Sequence, residues 1–381
     1  MVTFHLSKLL DYLQENQENI LFDLETLVRA ESPSQDKQAV DRCGHVLQQL
    51  FRTHLGVQAD VFPQEKTGDH LRFALGVGEE QILIITHFDT VWDIGRLTYR
   101  VEENKAYGPG IFDMKGGIIQ SLWALKACVD LHVPLQYKIV FLCTSDEEIG
   151  SASSRQLIEE EARKSRYVLV PEPAVADSGA LKTARKGVGE FRLKIKGKAT
   201  HSGNHHEEGV SAVEELARQI MYIHSLTDYS LGTTLNVGIA RGGTRVNVVP
   251  DEAEAVIDLR VTSMAEAERI THLLHNLKPQ VPGTSITVEG DLERPPMERT
   301  EKTVELFNLA KECGEDLGIP LTEAFVGGGS DGNFTAALGV PTLDGLGPMG
   351  DGPHAEYEHV LIDQLPLRSA LFAHLLMRLQ K

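Results

Sequence analysis

Two histidines and a set of carboxylates sit where chemistry can gather. His87 and Asp89 close the apolar run Leu83-Ile84-Ile85-Thr86-His87-Phe88-Asp89, two residues apart, so an extended backbone turns both side chains to one side. A metal-ligating histidine commonly donates its second N–H to a carboxylate or carbonyl, and Asp89 stands where it can accept it. Alone, His-x-Asp is a weak motif that surface turns also produce. Asp113 lies within Gly108-Pro109-Gly110-Ile111-Phe112-Asp113-Met114-Lys115-Gly116-Gly117, where glycines allow close backbone approach and one carboxylate can bridge two cations. A helix cap would use the same residue. Thr144-Ser145-Asp146-Glu147-Glu148-Ile149-Gly150 places two adjacent glutamates after another apolar run, one able to ligate metal and the other to move protons. Glu172 is held between Pro171 and Pro173 in a stiff turn, and Pro348 to Glu356 carries His354 on a glycine-rich loop. Carboxylates gathered at strand ends repel one another unless a cation neutralises them.

His87, Asp113, Glu148, Glu172 and His354 would give each of two metals a histidine and a carboxylate, with Asp113 shared. Zinc takes imidazole nitrogen and carboxylate oxygen, and a zinc pair roughly 3.5 to 4 Å apart activates water and polarises a carbonyl. Cobalt and manganese accept the same donors. Glu147 is left as a general base.

Elements must bring these residues together. Gln81 to Thr86, Tyr137 to Cys143 and Tyr167 to Val170 predict buried parallel strands, interleaved with helical stretches such as Gly117 to Leu131. That alternation predicts an α/β sheet, whose ligands gather beyond the carboxyl ends of the strands, where the histidine and the acidic residues fall. The first 50 residues predict helices, with Ile20, Leu21, Leu24, Leu27 and Val28 at helical spacing and a break at Pro33. From Lys186 the texture changes. Strand Gly189 to Ile195, helix Ser211 to Leu226, strands Thr234 to Ala240 and Ala253 to Val261, helix Met264 to Leu277 and strand Ser285 to Val288 give a β-α-β-β-α-β, ferredoxin-like order. Helix Val304 to Gly318, a βα stretch near Pro341 to Leu346 and helix Gln364 to Lys381 resume the first texture. The predicted domains are therefore 1–185 and 293–381 forming one body, with 186–292 inserted on short hinges.

The length of 381 residues suits two domains. Lys and Arg number 37 against 55 Asp and Glu, a formal charge of -18 that repels nucleic acid and anionic membranes unless a basic patch intervenes. Met1 to Leu10 has no leader pattern and no run approaches the roughly 20 apolar residues of a membrane span, which predicts a cytoplasmic protein. Cys43, Cys128, Cys143 and Cys313 are scattered, predicting free thiols.

Taken in order, H-x-D, GPGxxDMKGG, DEEIGS, PEP, KATHSG, GGTRVNVVP, GGGSD and a late PH resemble the M20 family of metallopeptidases over nearly the whole chain, most closely its glutamate-carboxypeptidase-like branch. The resemblance implies a di-zinc exopeptidase-type mixed sheet flanked by helices, with an inserted ferredoxin-like lid. It implies the same five ligands, two Zn2+, Glu147 as the base and a cis peptide after Asp113. His201 would stabilise the oxyanion, often across a dimer interface, which implies a homodimer through the lid. Without that context His201 reads as a turn residue. Asn247, Arg260 and Arg294 would hold a substrate carboxylate together with backbone N–H groups around Gly328, although Arg260 equally suits a strand-edge salt bridge. The loop Gly203 to Gly209 lacks the family's usual proline, and its His205 and His206 are expected to face solvent. No residue of the basic stretch Leu181 to Lys186 can be assigned to a second carboxylate. The implied activity is release of a C-terminal amino acid, with glutamate suggested, from a small peptide or N-acyl conjugate. N-acyl-amino-acid deacylase and dipeptidase are sister readings. A non-catalytic binding protein of the same fold is opposed by the intact Glu147 and the five intact ligands.

Overall fold

A computed structural model of the chain describes residues 6–380. Residues 1–5, part of the stretch read for a leader, and Lys381, the last residue of the predicted terminal helix, lie outside the described residues. The chain divides into two compact units. One runs to Ala184 and takes up Arg299–Phe325 and the segment from Ser330; the other comprises Arg185–Glu298 with Val326–Gly329.

The first unit is built on an eight-stranded sheet in the order Asp60–Phe62, His70–Leu75, Lys138–Thr144, Gln81–His87, Tyr167–Val170, Thr342–Asp344, Leu181–Arg185, Glu323–Val326. The central strands Lys138–Thr144, Gln81–His87, Tyr167–Val170 and Thr342–Asp344 are parallel. Their alternate residues feed two cores, the signature of a sheet covered on both faces. Ile82, Ile84, Ile139 and Phe141 pack with helices Gln17–Arg29, Lys37–Leu55, Gly116–Asp130 and Gln364–Leu379, while Leu83, Ile85, Val140 and Leu142 meet Ile158, Ala162 and Phe334. The antiparallel partner His70–Leu75 and the strands Asp60–Phe62, Leu181–Arg185 and Glu323–Val326 make the sheet mixed. A small sheet of Gly350–Asp351, His359–Leu361, Lys105–Tyr107 and Arg100–Glu102 stands apart from it.

The second unit is a four-stranded antiparallel sheet ordered Thr234–Gly242, Glu252–Val261, Gly187–Lys196, Ser285–Arg294. Gly187–Lys196 alternates buried and exposed residues, and its Phe191, Leu193 and Ile195 join Ala255, Ile257 and Leu259 beneath helices Ala212–Ser225 and Met264–His275. Both helices start at a serine whose side chain accepts the N–H of a glutamate three residues on, Ser211 from Glu214 and Ser263 from Glu266. The unit extends beyond Leu292 because Arg185 and Met297 exchange two backbone hydrogen bonds of 3.0 Å and Lys186 N–H donates to the Val326 carbonyl at 3.1 Å.

Glu215 pins this unit. Fully buried, its carboxylate accepts from Gln219 (2.6 Å), the backbone N–H groups of Gln280 (2.9 Å) and Val281 (2.6 Å), and the Thr284 hydroxyl (3.2 Å). Burial alone would raise its pKa, but these donors outweigh it and hold it below the ordinary 4.5. A carboxylate depressed on folding stabilises above its unfolded pKa, and that contribution is lost as pH falls through the folded value. Glu215→Gln should therefore lower stability by about 2 kcal/mol at neutral pH, by turning an amide NH2 toward N–H donors. It should also flatten the acid limb of thermal stability measured between pH 6 and 3.

Candidate active site

Strand ends deliver the first residues of the site. His87 ends its strand opposite Thr144, so the Glu147–Glu148 loop starts beside it, and Glu172 follows two residues after Val170 on the strand paired at the other edge. The turn carrying Glu172 is pressed against the start of helix Gly116–Asp130. A Cβ at Gly117 would lie 1.8 Å from the Pro171 carbonyl oxygen, so only glycine permits this approach. Asp113 interrupts the helical run Ile111–Lys115 with extended dihedrals, and the Asp113–Met114 peptide is cis.

Five side chains then converge. His87 Nε2 lies 3.2 Å from Asp113 Oδ1 and 3.3 Å from Glu172 Oε1; His354 Nε2 lies 3.5 Å from Asp113 Oδ2 and 3.1 Å from Glu148 Oε2. The two oxygens of Asp113 are thus divided between two imidazoles, each with a glutamate of its own. Donors bonded tetrahedrally to one zinc at roughly 2.0 to 2.1 Å are spaced about 3.3 to 3.4 Å apart, so these distances match the edges of two coordination shells. Glu148 Oε1 is buried and has no hydrogen-bond partner, as befits an oxygen awaiting a cation. The residues present therefore fit a pair of divalent cations, and His87, Asp113 and Glu148 alone form a ligand-competent group.

Electrostatics agree. Burial disfavours the His87 cation, but Asp113, Asp89 and Glu172 hold its pKa well above the ordinary value. Asp113 and Glu148 push His354 up to about 10. Burial raises Glu148 to about 7. A cation bound here would compete with protons for the same ligand atoms.

Asp89 meets the His87 ring chiefly through its main chain. His87 Nδ1 donates to the Asp89 backbone carbonyl at 3.1 Å, while the carboxylate stands 3.5 Å away. That carboxylate instead accepts from Ser34 Oγ (2.7 Å) and from the backbone N–H groups of Glu147 and Glu148 (3.2 Å each). It orients the loop of the two glutamates, and the Asp89 carbonyl lies nearer the ring than the carboxylate does.

The remaining predicted residues belong to the second unit. His201 is exposed, and its Nδ1 accepts the N–H groups of Gly203 (3.1 Å) and Asn204 (3.2 Å), so it caps its own turn. Asn247 is exposed, and its backbone carbonyl accepts Ser202 N–H. Arg260 is gripped by both oxygens of Asp258 at 3.0 to 3.1 Å, a salt bridge as its alternative reading had it, though on a strand paired on both sides. Arg294 is buried with its Cδ beside Gly329. Gly328 is exposed, with its carbonyl accepting from Arg185 at 3.2 Å. His205 and His206 are exposed.

Sequence reading passed over Glu358. It is buried and accepts the backbone N–H groups of Gly110, Phe112 and Asp113 together with the Trp92 indole N–H. Nothing in His354-Ala355-Glu356-Tyr357-Glu358-His359 separates it from Glu356, which is exposed and pairs with Arg96.

Residues 83–378 match the model of peptidase family M20/M25/M40. The chain is 32% identical over 377 residues to carboxypeptidase G2 of Pseudomonas sp., covering 96% of this chain and 90% of that one. It is 26% identical over 302 residues to succinyl-diaminopimelate desuccinylase of Thioalkalivibrio sulfidiphilus, covering 76% and 79%. Its fold is similar to that of aminopeptidase PepT from Bacillus cereus, with a TM-score of 0.78 at 22% identity over 96% of this chain and 99% of the other. Among the described residues no helix is long and apolar enough to cross a membrane. With the family model covering most of its length and a relative aligned along nearly all of it, the chain belongs to peptidase family M20/M25/M40 and is a metal-dependent hydrolase.

Proposed function

We propose that this hydrolase is an exopeptidase that uses two divalent cations to release a C-terminal amino acid, with glutamate the first to test, from a small peptide or N-acyl conjugate. One observation carries the two-metal reading: the oxygens of Asp113 face separate histidines, His87 backed by Glu172 and His354 backed by Glu148. The similarity to carboxypeptidase G2 supports the choice of bond. Bound at these five residues, zinc, cobalt or manganese would polarise the scissile carbonyl and acidify water. Glu147, beside that site on the loop held by Asp89, takes a proton from the attacking water and returns it to the departing amine nitrogen. The water oxygen joins the carbonyl carbon as the C–N bond breaks, and Glu147 ends as it began. To Asn247, Arg260, Arg294 and the Gly328 backbone we assign the substrate carboxylate, and to His201 the oxyanion. Arg260 can take that role only by exchanging Asp258 for the substrate.

The test is a hydrolysis screen of zinc-loaded protein on N-acyl amino acids, dipeptides and glutamate conjugates such as folates, beside a chelator-treated control. Chelator-sensitive release of C-terminal glutamate is the expected result. Preference for simple acyl groups would favour a deacylase, the reading that the similarity to a desuccinylase supports. Preference for free-amine dipeptides would indicate a dipeptidase, and no turnover with metal bound would leave a binding protein.

A further inference from the structure

Glu358 makes four hydrogen bonds that all run the same way. Its Oε1 accepts Phe112 N–H at 2.9 Å and Asp113 N–H at 3.0 Å; its Oε2 accepts Gly110 N–H at 3.1 Å and Trp92 Nε1–H at 2.6 Å. Four donors on two oxygens suit an ionised carboxylate, the side chain that accepts on both arms and donates on neither. The backbone groups are ones that local structure leaves without partners: Gly110 is in the left-handed region at φ 67, and the helical run breaks at Asp113. The carboxylate is itself anchored. Glu358 directly precedes strand His359–Leu361, whose His359 pairs with Tyr107 on one side and Asp351 on the other. Between Asp351 and His359 lies the loop that carries His354. One buried carboxyl group therefore ties together the segment just beyond Asp89, the turn bearing Asp113 and the base of the His354 loop.

We propose that Glu358 is the positioning residue of the metal pair, fixing Asp113 through its own backbone N–H so that each carboxylate oxygen faces its histidine. This rests on the two-metal reading above. The effect is leveraged: Asp113 serves both histidines, so a small shift of its backbone alters both sites at once. Groups that orient ligands in this way typically govern about 10- to 100-fold in metal affinity.

Glu358→Gln keeps the size but turns an NH2 toward two N–H donors, and Glu358→Asp keeps the charge one methylene shorter. Zinc stoichiometry and affinity would be measured by competition with a chromophoric chelator, with circular dichroism as the check on folding. The expected result is a folded Glu358→Gln protein with zinc affinity lowered about 10- to 100-fold, and partial recovery in Glu358→Asp. Should Glu358→Gln fail to fold, Trp92→Phe removes a single donor and should weaken zinc a few-fold in a folded protein. Wild-type affinity in folded Glu358→Gln, or in Trp92→Phe where that variant must decide, would overturn the proposal while leaving the two-metal reading intact. A wild-type chain that takes up no zinc would overturn both.

Discussion

Glu147→Gln should lower turnover by at least about 100-fold while zinc content stays at the wild-type level. The two halves of that expectation come from different parts of the structure. Metal content is set by the residues facing the two imidazoles, and on this loop that residue is Glu148, 3.1 Å from His354. Glu147 contributes its charge, which reaches His87, and its backbone N–H, which is held by Asp89 Oδ1 at 3.2 Å. The amide keeps that backbone contact and the side-chain volume, and loses the negative charge and with it the capacity to take a proton. Single-turnover and steady-state rates, read beside atomic absorption on the same sample, separate the possibilities. Activity within about tenfold of wild type would remove Glu147 from the role of base. Loss of metal would make it a ligand instead.

How far the residues could be read before folding follows from what each depends on. Gln81–His87, Lys138–Thr144 and Tyr167–Val170 have continuous apolar interiors, so their buried parallel character and the chemistry beyond their ends were legible. So was the β-α-β-β-α-β order of the second unit, where Gly187–Lys196 alternates cleanly. Asp60–Phe62, Arg100–Glu102 and Glu323–Val326 escaped because they are short and contain no buried residue, and pairing with other segments, not patterning, makes them strands. His87 and Asp89 were identified as neighbours, but period-2 geometry could not show that the Asp89 carbonyl comes nearer the ring than its carboxylate. Glu358 was illegible for a deeper reason. Three of its four partners are backbone N–H groups nearly 250 positions away, and a backbone donor leaves no mark on residue type.

Asp113→Asn should take the chain from two bound metals per molecule to one at most, and lower turnover by more than the roughly 10- to 100-fold that outer-sphere changes cost. A carboxylate can serve two cations because its oxygens are equivalent anions, and in this structure each is already aimed, Oδ1 at His87 and Oδ2 at His354. Asparagine has one acceptor and one NH2. If its oxygen faces His87 and Glu172, its NH2 is presented where the cation of His354 and Glu148 would lie; the flipped rotamer exchanges the two losses. Either way one shell is left with a histidine, a glutamate and a repulsive donor. The neutral side chain also removes the charge that stabilises a cation pair at close range. His354→Ala offers the contrast, since it strips the shell it shares with Glu148 and leaves Asp113 and Glu172 around His87. Metal analysis after gel filtration should therefore find one equivalent in His354→Ala and one or none in Asp113→Asn. Two equivalents retained in Asp113→Asn would mean that Asp113 does not bridge, and that the division of its oxygens between the two histidines has another cause.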